Sequence, residues 1–321
     1  ALEAGWHVRD MHFRDRLREK DIIKGQDKQT LEPVRIRVDS LRDRATFNEQ
    51  QAGFYVQDAI DVLPERDRLI LTGGLRSDYY SFNDEWTLSP RLSARFVYND
   101  QLTLTGSWGI YHQQPTYREL RGTPEDEQSI DEALNRGLQS QRSMQLDLQL
   151  RGEFVPGLES WFNYSYMVAR ERFKPQFQEV GYNEGLLPRP ADQRHTFSAF
   201  VQDYVPGDKS WKLHMRLLYG SGLPYTTTNP GDTNGEIRYR EPGRRLAGRL
   251  PAYRRVDVGA TKEIDVYDDG PSGPVTLDLT LEVLNLFDMD NTVAYTWTED
   301  FTRVPERLTP RALNARLRLT F

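Results

Sequence analysis

The last ten residues of the chain, ALNARLRLTF (312–321), alternate strictly between apolar and polar side chains. The apolar set is Leu313, Ala315, Leu317, Leu319 and Phe321, and the polar set is Asn314, Arg316, Arg318 and Thr320. Successive side chains of a β-strand point to opposite faces, so a period of two separates one face from the other. The segment is therefore predicted to be a strand with one apolar and one strongly polar face.

The same alternation recurs in several other segments. Clear examples are LTLTGSWGI (102–110), MQLDLQL (144–150), WKLHMRLLY (211–219) and VTLDLTLEV (275–283). In the last three, charged or polar side chains occupy the face opposite the apolar one. A soluble antiparallel sheet also alternates in this way, so the pattern indicates an all-β protein without deciding what surrounds it.

The lengths of the connections between the predicted strands indicate the type of β-protein more specifically than the strands themselves. About twelve strands are predicted, near 2–18, 50–62, 67–80, 88–99, 102–113, 141–154, 158–170, 194–205, 210–221, 252–267, 275–289 and 309–321. Short connections alternate with long ones, near 19–49, 114–140, 171–193, 222–251 and 290–308, and only the link at 81–87 is short where a long one is expected. Short turns at one end and long loops at the other are typical of outer-membrane barrels.

The composition is compatible with a membrane barrel, because only one face of each strand contacts lipid. The chain has 321 residues, 37% of them hydrophobic and 28% charged, and contains no run of 18 apolar residues that would form a membrane-spanning helix. A barrel exposes only every second strand residue to lipid, so a polar average is compatible with it. The net charge of −6 argues against a nucleic-acid partner, and the absence of cysteine excludes disulfides and thiolate metal sites.

Aromatic residues cluster near both predicted strand ends, as in the two interfacial girdles of a membrane barrel. Those beside the short turns or the C-terminus are Tyr98, Phe154, Trp161, Tyr204, Trp211, Tyr267 and Phe321. Those at the opposite ends are Tyr79, Tyr80, Phe82, Tyr111, Tyr219 and Tyr225. The predicted fold is thus an all-β, antiparallel transmembrane outer-membrane β-barrel, with the apolar parity facing lipid and the polar parity facing a wet lumen.

Several segments, taken in order, resemble the C-terminal barrel half of TonB-dependent outer-membrane receptors. They are AGFYVQDAIDV (52–62), LTGGLRSDYYSF (71–82), LSPRLSARFVYNDQLTLTGSWGIYHQQPTYREL (88–120), DQRHTFSAF (192–200), GSGLPYT (220–226), LPAYRRVDVGATKEI (250–264), LEVLNLFDMDNT (281–292) and the terminal LNARLRLTF (313–321). The resemblance implies a barrel of 22 strands with a plugged lumen, located in the outer membrane of a Gram-negative-type bacterium.

On that resemblance, residues 1–321 correspond to the C-terminal portion of the barrel, and the plug domain and earlier strands are expected to lie outside this chain. An isolated half-barrel would expose two unpaired strand edges in lipid, which is not viable. We therefore expect further residues or another chain to pair with the strands at 2–18 and 309–321.

No catalytic motif is present: the sequence lacks G-x-S-x-G, a P-loop and H-E-x-x-H. The five histidines are scattered, and His195, at a predicted strand start, is interpreted as structural and near the outer rim. The short segment SIDEALNRGL (129–138) is the best helix candidate, with Ser129 and Glu132 as a capping box. The chain is therefore not expected to be an enzyme, and no cofactor or protein-bound metal is predicted.

The binding candidates lie in the long loops. One loop carries a cluster of arginines, Arg238, Arg240, Arg244, Arg245 and Arg249, which suits a carboxylate, a phosphate or an anionic chelate. Contact with lipopolysaccharide phosphates, or simple solvation, explains such a cluster as well. The predicted ligand-binding set is Arg238, Arg240, Arg244, Arg245, Tyr117 and Trp297, in which the two aromatic rings would stack on a flat ligand.

The main functional hypothesis is energised import of a scarce, bulky nutrient such as a ferric siderophore. The resemblance implies partners in TonB, ExbB and ExbD, reached through segments outside this chain, as well as outer-membrane lipid and lipopolysaccharide. The alternatives are a complete twelve-stranded passive pore, an outer-membrane barrel hydrolase and a soluble β-rich adhesin. Because no serine–histidine arrangement is evident at a strand end, the hydrolase is the weaker of the membrane alternatives.

Overall fold

The computed structural model describes residues 1–26, 33–63, 68–120, 137–172, 186–230, 240–242, 246–270, 273–298, 302–308 and 310–320. Twelve long strands form one antiparallel sheet. They are β1 (Leu2–Gln26), β2 (Pro33–Asp61), β3 (Leu69–Tyr80), β4 (Glu85–Val97), β5 (Leu102–Gln113), β6 (Gln141–Val155), β7 (Leu158–Glu171), β8 (His195–Val205), β9 (Asp208–Gly220), β10 (Tyr253–Gly270), β11 (Gly273–Leu284) and β12 (Ala312–Thr320). The predicted fold class and strand number are thereby confirmed.

The order of the strands in the sheet is their order in the chain. Each strand from β2 to β11 pairs with the strand before it and the strand after it. Within the described residues, β1 pairs only with β2 and β12 only with β11, so this part of the sheet is open at two edges. An antiparallel meander of this kind is the arrangement that an up-and-down barrel requires.

The register places apolar residues beside apolar residues across the sheet. Leu104 pairs with Leu150 between β5 and β6, and Leu279 pairs with Leu317 between β11 and β12. These side chains belong to one face, which is largely exposed in the isolated sheet, with Leu313 85% exposed. This apolar parity is called the outward face below. The opposite, inward face carries the polar and charged side chains, as the alternation predicts.

The first hairpin is much longer than the sequence suggests. The predicted strands at 2–18 and 50–62 were expected to be joined by a loop at 19–49, but β1 and β2 stay paired from Leu2 with Asp58 to Gln26 with Pro33. The prediction of a loop was wrong because it relied on apolar alternation. A hairpin that stands in water beyond the membrane has no lipid-facing side, so its strands need no apolar face.

The prediction of two aromatic girdles is only partly correct. Trp211 and Tyr267 lie on exposed surface near the short turns, but Tyr80 and Phe82 are 8% and 7% exposed. Phe82 packs with Leu120 and Leu138 in a small apolar cluster at the long-loop end. Trp161 lies on the inward face, because it pairs with Arg151 across the sheet. Its ring stacks on that of Phe200, with the centroids 6.1 Å apart. Position near a strand end therefore did not determine which face a ring occupies.

The remaining elements lie within the long connections. They are the helix α1 (Tyr117–Leu120), the strand Leu187–Pro188 beside β7, the paired strands Pro224–Tyr225 and Gly248–Arg249, the paired strands Thr228–Pro230 and Arg240–Pro242, and the hairpin formed by Thr292–Trp297 and Arg303–Arg307. Most of the helix predicted at 129–138 lies outside the described residues. Strand β11, predicted to reach residue 289, ends at Leu284 because Asn285 has a left-handed φ of 53°.

Among the described residues, no helix is both long enough and apolar enough to cross a bilayer.

Candidate functional site

A mostly buried arginine joins two of the long connections. Arg189, which precedes β8, donates a hydrogen bond from Nη2 to Oε1 of Glu119 (2.7 Å) and forms an ion pair with Glu171. Glu119 lies in α1, after β5, whereas Glu171 ends β7 and is 1% exposed. A carboxylate so far removed from water needs such a partner, because an unpaired buried charge is very unfavourable. Arg189 therefore holds the β5–β6 connection against the end of β7.

Hydrogen bonds from Thr116, at the N-terminus of helix α1, fix the position of the Glu119 side chain. The backbone N–H and the hydroxyl of Thr116 both donate hydrogen bonds to Oε2 of Glu119, at 2.8 and 3.0 Å. The bond from the Thr116 N–H is the glutamate half of a T-x-x-E capping box, at TYRE (116–119). The sequence contained this signal, but the prediction placed a capping box at 129–132 instead. The second carboxylate oxygen of Glu119 remains available for Arg189.

A second buried carboxylate joins the next pair of connections. Asp192 is 0% exposed, and its Oδ1 accepts a hydrogen bond from the backbone N–H of Ala169 (2.7 Å). Its Oδ2 accepts from Nε of Arg194 (3.1 Å) and from Arg249, which belongs to the β9–β10 connection. Arg249 also donates to the carbonyl oxygen of Gly222 (3.3 Å). Arg249, one of the arginines in the predicted cluster, is thus occupied with holding two connections together.

An aromatic pair extends the contact to the last connection. The rings of Tyr225, in the β9–β10 connection, and Tyr295, in the β11–β12 hairpin, have centroids 5.2 Å apart. The guanidinium of Arg303 lies 4.4 Å from the centroid of the Tyr295 ring. Edge-to-face rings and a cation over a ring face are both favourable geometries.

Four long connections are therefore joined side by side into one structure, which we call the rim. It is defined by Glu119, Glu171, Arg189, Asp192, Arg249, Tyr225 and Tyr295. Sequence reasoning missed Glu171, Arg189 and Asp192, because nothing in a single sequence indicates which loop charges become buried.

The rim carries part of the predicted binding set. The backbones of Tyr117 in α1, of Arg240 opposite Pro230 and of Trp297 opposite Arg303 lie in the rim connections. Arg238, Arg244 and Arg245 lie outside the described residues. The structure therefore brings Arg240 and Trp297 onto connections that contact each other through Tyr225 and Tyr295, whereas Tyr117 lies on the connection that Arg189 holds.

Below the rim, the inward face of the sheet is lined by paired charges. Nζ of Lys212 lies 2.6 Å from Oε2 of Glu263, and Nε of Arg255 lies 2.7 Å from Oδ1 of Asp257. Asp147 accepts a hydrogen bond from the hydroxyl of Ser165 on the neighbouring strand. Such a wall suits a hydrated lumen rather than a packed apolar core.

On this inward face, two histidines each approach a carboxylate two strands away, across a glycine on the strand between them. His214 on β9 and Glu282 on β11 are separated by Gly259 on β10, and the His214 Nε2 to Glu282 Oε1 distance is 2.9 Å. A Cβ at position 259 would lie 2.5 Å from Nε2 of His214, so only glycine leaves this path open. His7, Gly53 and Asp78 repeat the arrangement across β1, β2 and β3.

His195 lies at the start of β8, where Nδ1 is 2.9 Å from the hydroxyl oxygen of Tyr164. Within the ranges that the structure describes, no group of three histidine, aspartate or glutamate side chains is arranged to hold a metal ion.

The rim should open in acid. Burial by itself would raise the pKa of Glu119, but the hydrogen bonds from Thr116 and the contact with Arg189 outweigh it and lower that pKa below its ordinary value of 4.5. A carboxyl with a lowered pKa stabilises the folded state above its ordinary pKa, and this stabilisation is lost as the pH falls through the folded value. Amide hydrogen exchange at 116–120 and 187–189 should accelerate as the pH falls below about 4.5, after correction for intrinsic exchange.

The Glu119→Gln variant is the control for this prediction. It should exchange faster at neutral pH and lose the additional acid-dependent step. If the variant kept the same pH profile as the unaltered protein, the assignment of the step to Glu119 would be wrong.

Comparison with known proteins gives the family. Residues 8–163 match the family model described as "TonB dependent receptor-like, beta-barrel". No curated protein matches the chain in sequence.

Three similar solved structures are distant in sequence. A variant of the ferric enterobactin receptor from Pseudomonas aeruginosa in complex with enterobactin is 16% identical (77% of this chain, 41% of that one, TM-score 0.43). The ferripyoverdine receptor of the same organism is 12% identical (97% and 44%, TM-score 0.44). The copper transporter OprC is 16% identical (98% and 53%, TM-score 0.43). The chain spans about half, or less, of the length of these proteins.

The family match covers the first hairpins, and the twelve-stranded meander continues in the same manner to β12. The matched family is one of receptors and not of enzymes, in agreement with the lack of a catalytic motif. Its members are β-barrels of the Gram-negative outer membrane, so the long connections are extracellular and the short turns are periplasmic. Residues 8–163 thus match the β-barrel of the TonB-dependent receptor family, and the remaining strands continue the same sheet.

Proposed function

We propose that this chain forms the wall and the extracellular rim of a receptor that imports a scarce, bulky nutrient, such as a ferric siderophore, through a plugged barrel. The observation that carries the proposal is the rim, in which four extracellular connections are joined by buried ion pairs and ring contacts above a charged lumen wall. A passive pore has no need for connections joined in this way, whereas a receptor requires a preorganised surface on which to capture its ligand.

The ligand would be anionic and partly flat. Arg238, Arg240, Arg244 and Arg245 occur within eight residues of one rim connection, and guanidinium groups pair in a bidentate manner with carboxylates and phosphates. Tyr117 and Trp297, on two other rim connections, would offer rings for stacking. Because Arg249 is already paired with Asp192, we assign it to holding the loop and leave it out of the ligand set.

Closure of the barrel requires more strands than the structure describes. Strands β1 and β12 are not paired with each other in the described residues, and open edges are not tolerated in lipid. We propose that preceding strands and a plug domain complete the barrel, and that TonB, with ExbB and ExbD, supplies the force for import through a segment outside this chain.

The proposal is tested by uptake in a strain that expresses the full-length protein as its sole receptor. The probes are ⁵⁵Fe-loaded catecholate, hydroxamate and carboxylate siderophores. At least one should be taken up, and its uptake should stop when a protonophore collapses the proton gradient. Uptake that continued without the gradient would contradict the energised mechanism.

The rim arginines provide the matched variants. Changing Arg238, Arg240, Arg244 and Arg245 to glutamine should weaken binding of the transported siderophore by at least about tenfold, since hydrogen bonds to charged groups are strong. The control changes Arg68, Arg151, Lys209 and Lys262 to glutamine, which removes the same charge from the periplasmic end. Equal loss in both variants would indicate a general effect of charge and not a binding site.

The alternative is a passive pore, and conductance separates it from a receptor. In planar bilayers a plugged receptor should be electrically silent, whereas a twelve-stranded pore would pass ions steadily.

A further inference from the structure

A cavity of about 250 Å³ lies on the inward face of the first hairpin, beside the rim. Its walls come from β1 with Phe13, from β2 with Phe47 and Glu49, and from the β5–β6 connection with Thr116 and Leu120. Because Thr116 also holds the glutamate of helix α1, the cavity borders the rim directly. A ligand that enters between the extracellular connections would therefore reach it.

The carboxylate of Glu49 lies in the wall of this cavity without a cationic partner. Glu49 is 3% exposed, and its one hydrogen bond within the described residues runs from Nε2 of Gln51 to Oε1 (2.9 Å). Arg9 lines the same cavity, but it is exposed and forms no ion pair with Glu49 in the described structure. The buried Glu171 and Asp192, by contrast, both pair with arginines. Since an unpaired buried charge is very unfavourable, Glu49 requires an explanation.

The groups around Glu49 suit an organic cation. The amide of Gln51 donates to Oε1 of Glu49 and to Oε1 of Gln114, which fixes the carboxylate and leaves its Oε2 to accept from a ligand. The rings of Phe13 and Phe47 are stacked, with centroids 4.9 Å apart and planes 18° apart. Aromatic rings attract cations, and a carboxylate accepts strong hydrogen bonds from ammonium and guanidinium groups.

We propose that this cavity binds a basic group of the imported nutrient, an ammonium or a guanidinium on a short apolar stem, with Glu49 as its counter-ion. The inference rests on the proposed function, because it assigns the cavity to the nutrient. It adds a second recognition element, since the rim arginines suit an anionic part of the ligand and Glu49 suits a cationic part. The cavity is smaller than the about 300–1,000 Å³ of sites for whole drug-sized ligands, so it would take a side group only.

The test is binding of phenethylammonium to the purified full-length receptor in detergent, followed by a saturation-transfer NMR titration at neutral pH. This probe carries an ammonium on a short stem that ends in a ring, which matches the lining of the cavity. Glu49→Gln keeps the size of the side chain and an acceptor for Gln51 but removes the charge. It should bind the probe at least about tenfold more weakly, because hydrogen bonds between charged groups are strong.

The charge-matched control is Glu3→Gln on the same hairpin. Glu3 also lies on the inward face, but it is exposed, lies near the periplasmic end and accepts hydrogen bonds from Tyr55 (2.9 Å) and Gln57 (2.8 Å). This variant should bind the probe within about twofold of the unaltered protein, because an exposed carboxylate contributes little.

Thermal unfolding without the probe separates the nutrient from a basic residue of the plug as the source of the cation. If Glu49 stays unpaired until the nutrient binds, Glu49→Gln should unfold at the same or a higher temperature, because it removes an uncompensated buried charge. A clearly lower unfolding temperature would show that a cation of the protein already pairs with Glu49, and this would overturn the assignment to the nutrient.

Four binding results would also overturn the proposal. They are no measurable binding by the unaltered protein, equal binding by Glu49→Gln, equal binding of the neutral analogue phenethyl alcohol, and a transported siderophore that leaves the probe bound. Probe binding is measured without import, so its failure would leave the import proposal standing. Failure of siderophore uptake with intact probe binding would count against import and not against the cation site.

Discussion

Replacing Leu148 with arginine should destabilise the folded barrel by about 2–4 kcal/mol, the cost of an arginine at the bilayer midplane on the lipid face of an outer-membrane barrel. Leu148 lies in the middle of β6, pairs with Gly106 and Tyr164, and is 45% exposed on the outward face. The expected effect is large because the guanidinium would enter hydrocarbon with no water to solvate it. The measurement is the urea dependence of folding of the full-length protein into short-chain phosphatidylcholine vesicles.

The adjacent residue is the matched control for Leu148. Gln149 lies at the same depth but on the inward face, where it pairs with Thr105 and Asn163. Gln149→Arg should change the free energy of unfolding by less than about 1 kcal/mol, because the lumen is polar. If the two substitutions had equal effects, the assignment of the two faces to lipid and lumen would be wrong.

The second large effect is expected at the rim. The Arg194→Met/Arg249→Met variant would remove both ion-pair partners of the buried Asp192 and leave Arg170 as a cation that still interacts with it. Removal of the partner of a buried charge costs about 3–5 kcal/mol. Both arginines are about one-third exposed, so the lower end applies. Because Asp192 connects the segment before β8 with the β9–β10 connection, amide exchange at 192–194 and 248–250 should accelerate on the order of 100-fold, while β4 and β5 remain protected.

Two further variants make this prediction specific. Adding Asp192→Asn to the double variant should recover most of the protection, because a neutral amide oxygen still accepts the hydrogen bond from Ala169 and carries no charge. Arg151→Met removes an exposed partner of Glu159 at a periplasmic turn and should leave amide exchange at 192–194 and 248–250 unchanged, because exposed ion pairs contribute little. Failure of Asp192→Asn to restore protection would mean that the arginines act through packing and not through the buried charge.

The wall of the barrel was predictable from the sequence because lipid imposes a period of two on every strand that it contacts. LTLTGSWGI and VTLDLTLEV carry that period, and both form the expected strands, β5 and β11. The hairpin beyond residue 18 was missed because water on both faces imposes no period. Trp161 was assigned to the wrong face for a related reason, since an aromatic residue near a turn satisfies the compositional pattern of a girdle on either face.

The rim was less predictable, since its contacts join residues that are far apart in the chain. Glu119 and Arg189 are 70 residues apart, and Asp192 and Arg249 are 57 apart. No local pattern distinguishes these charges from solvated ones in the same loops. The TYRE capping box was the one local signal, and it locates α1 without indicating that Glu119 binds Arg189.

The intact covalent mass of the protein extracted from its native outer membrane shows whether these twelve strands are one part of the wall of a larger plugged barrel. We expect a mass about twice the 37.4 kDa of this chain, enough for a plug and about ten further strands. A mass near 37.4 kDa would contradict it and would favour a small barrel without a plug.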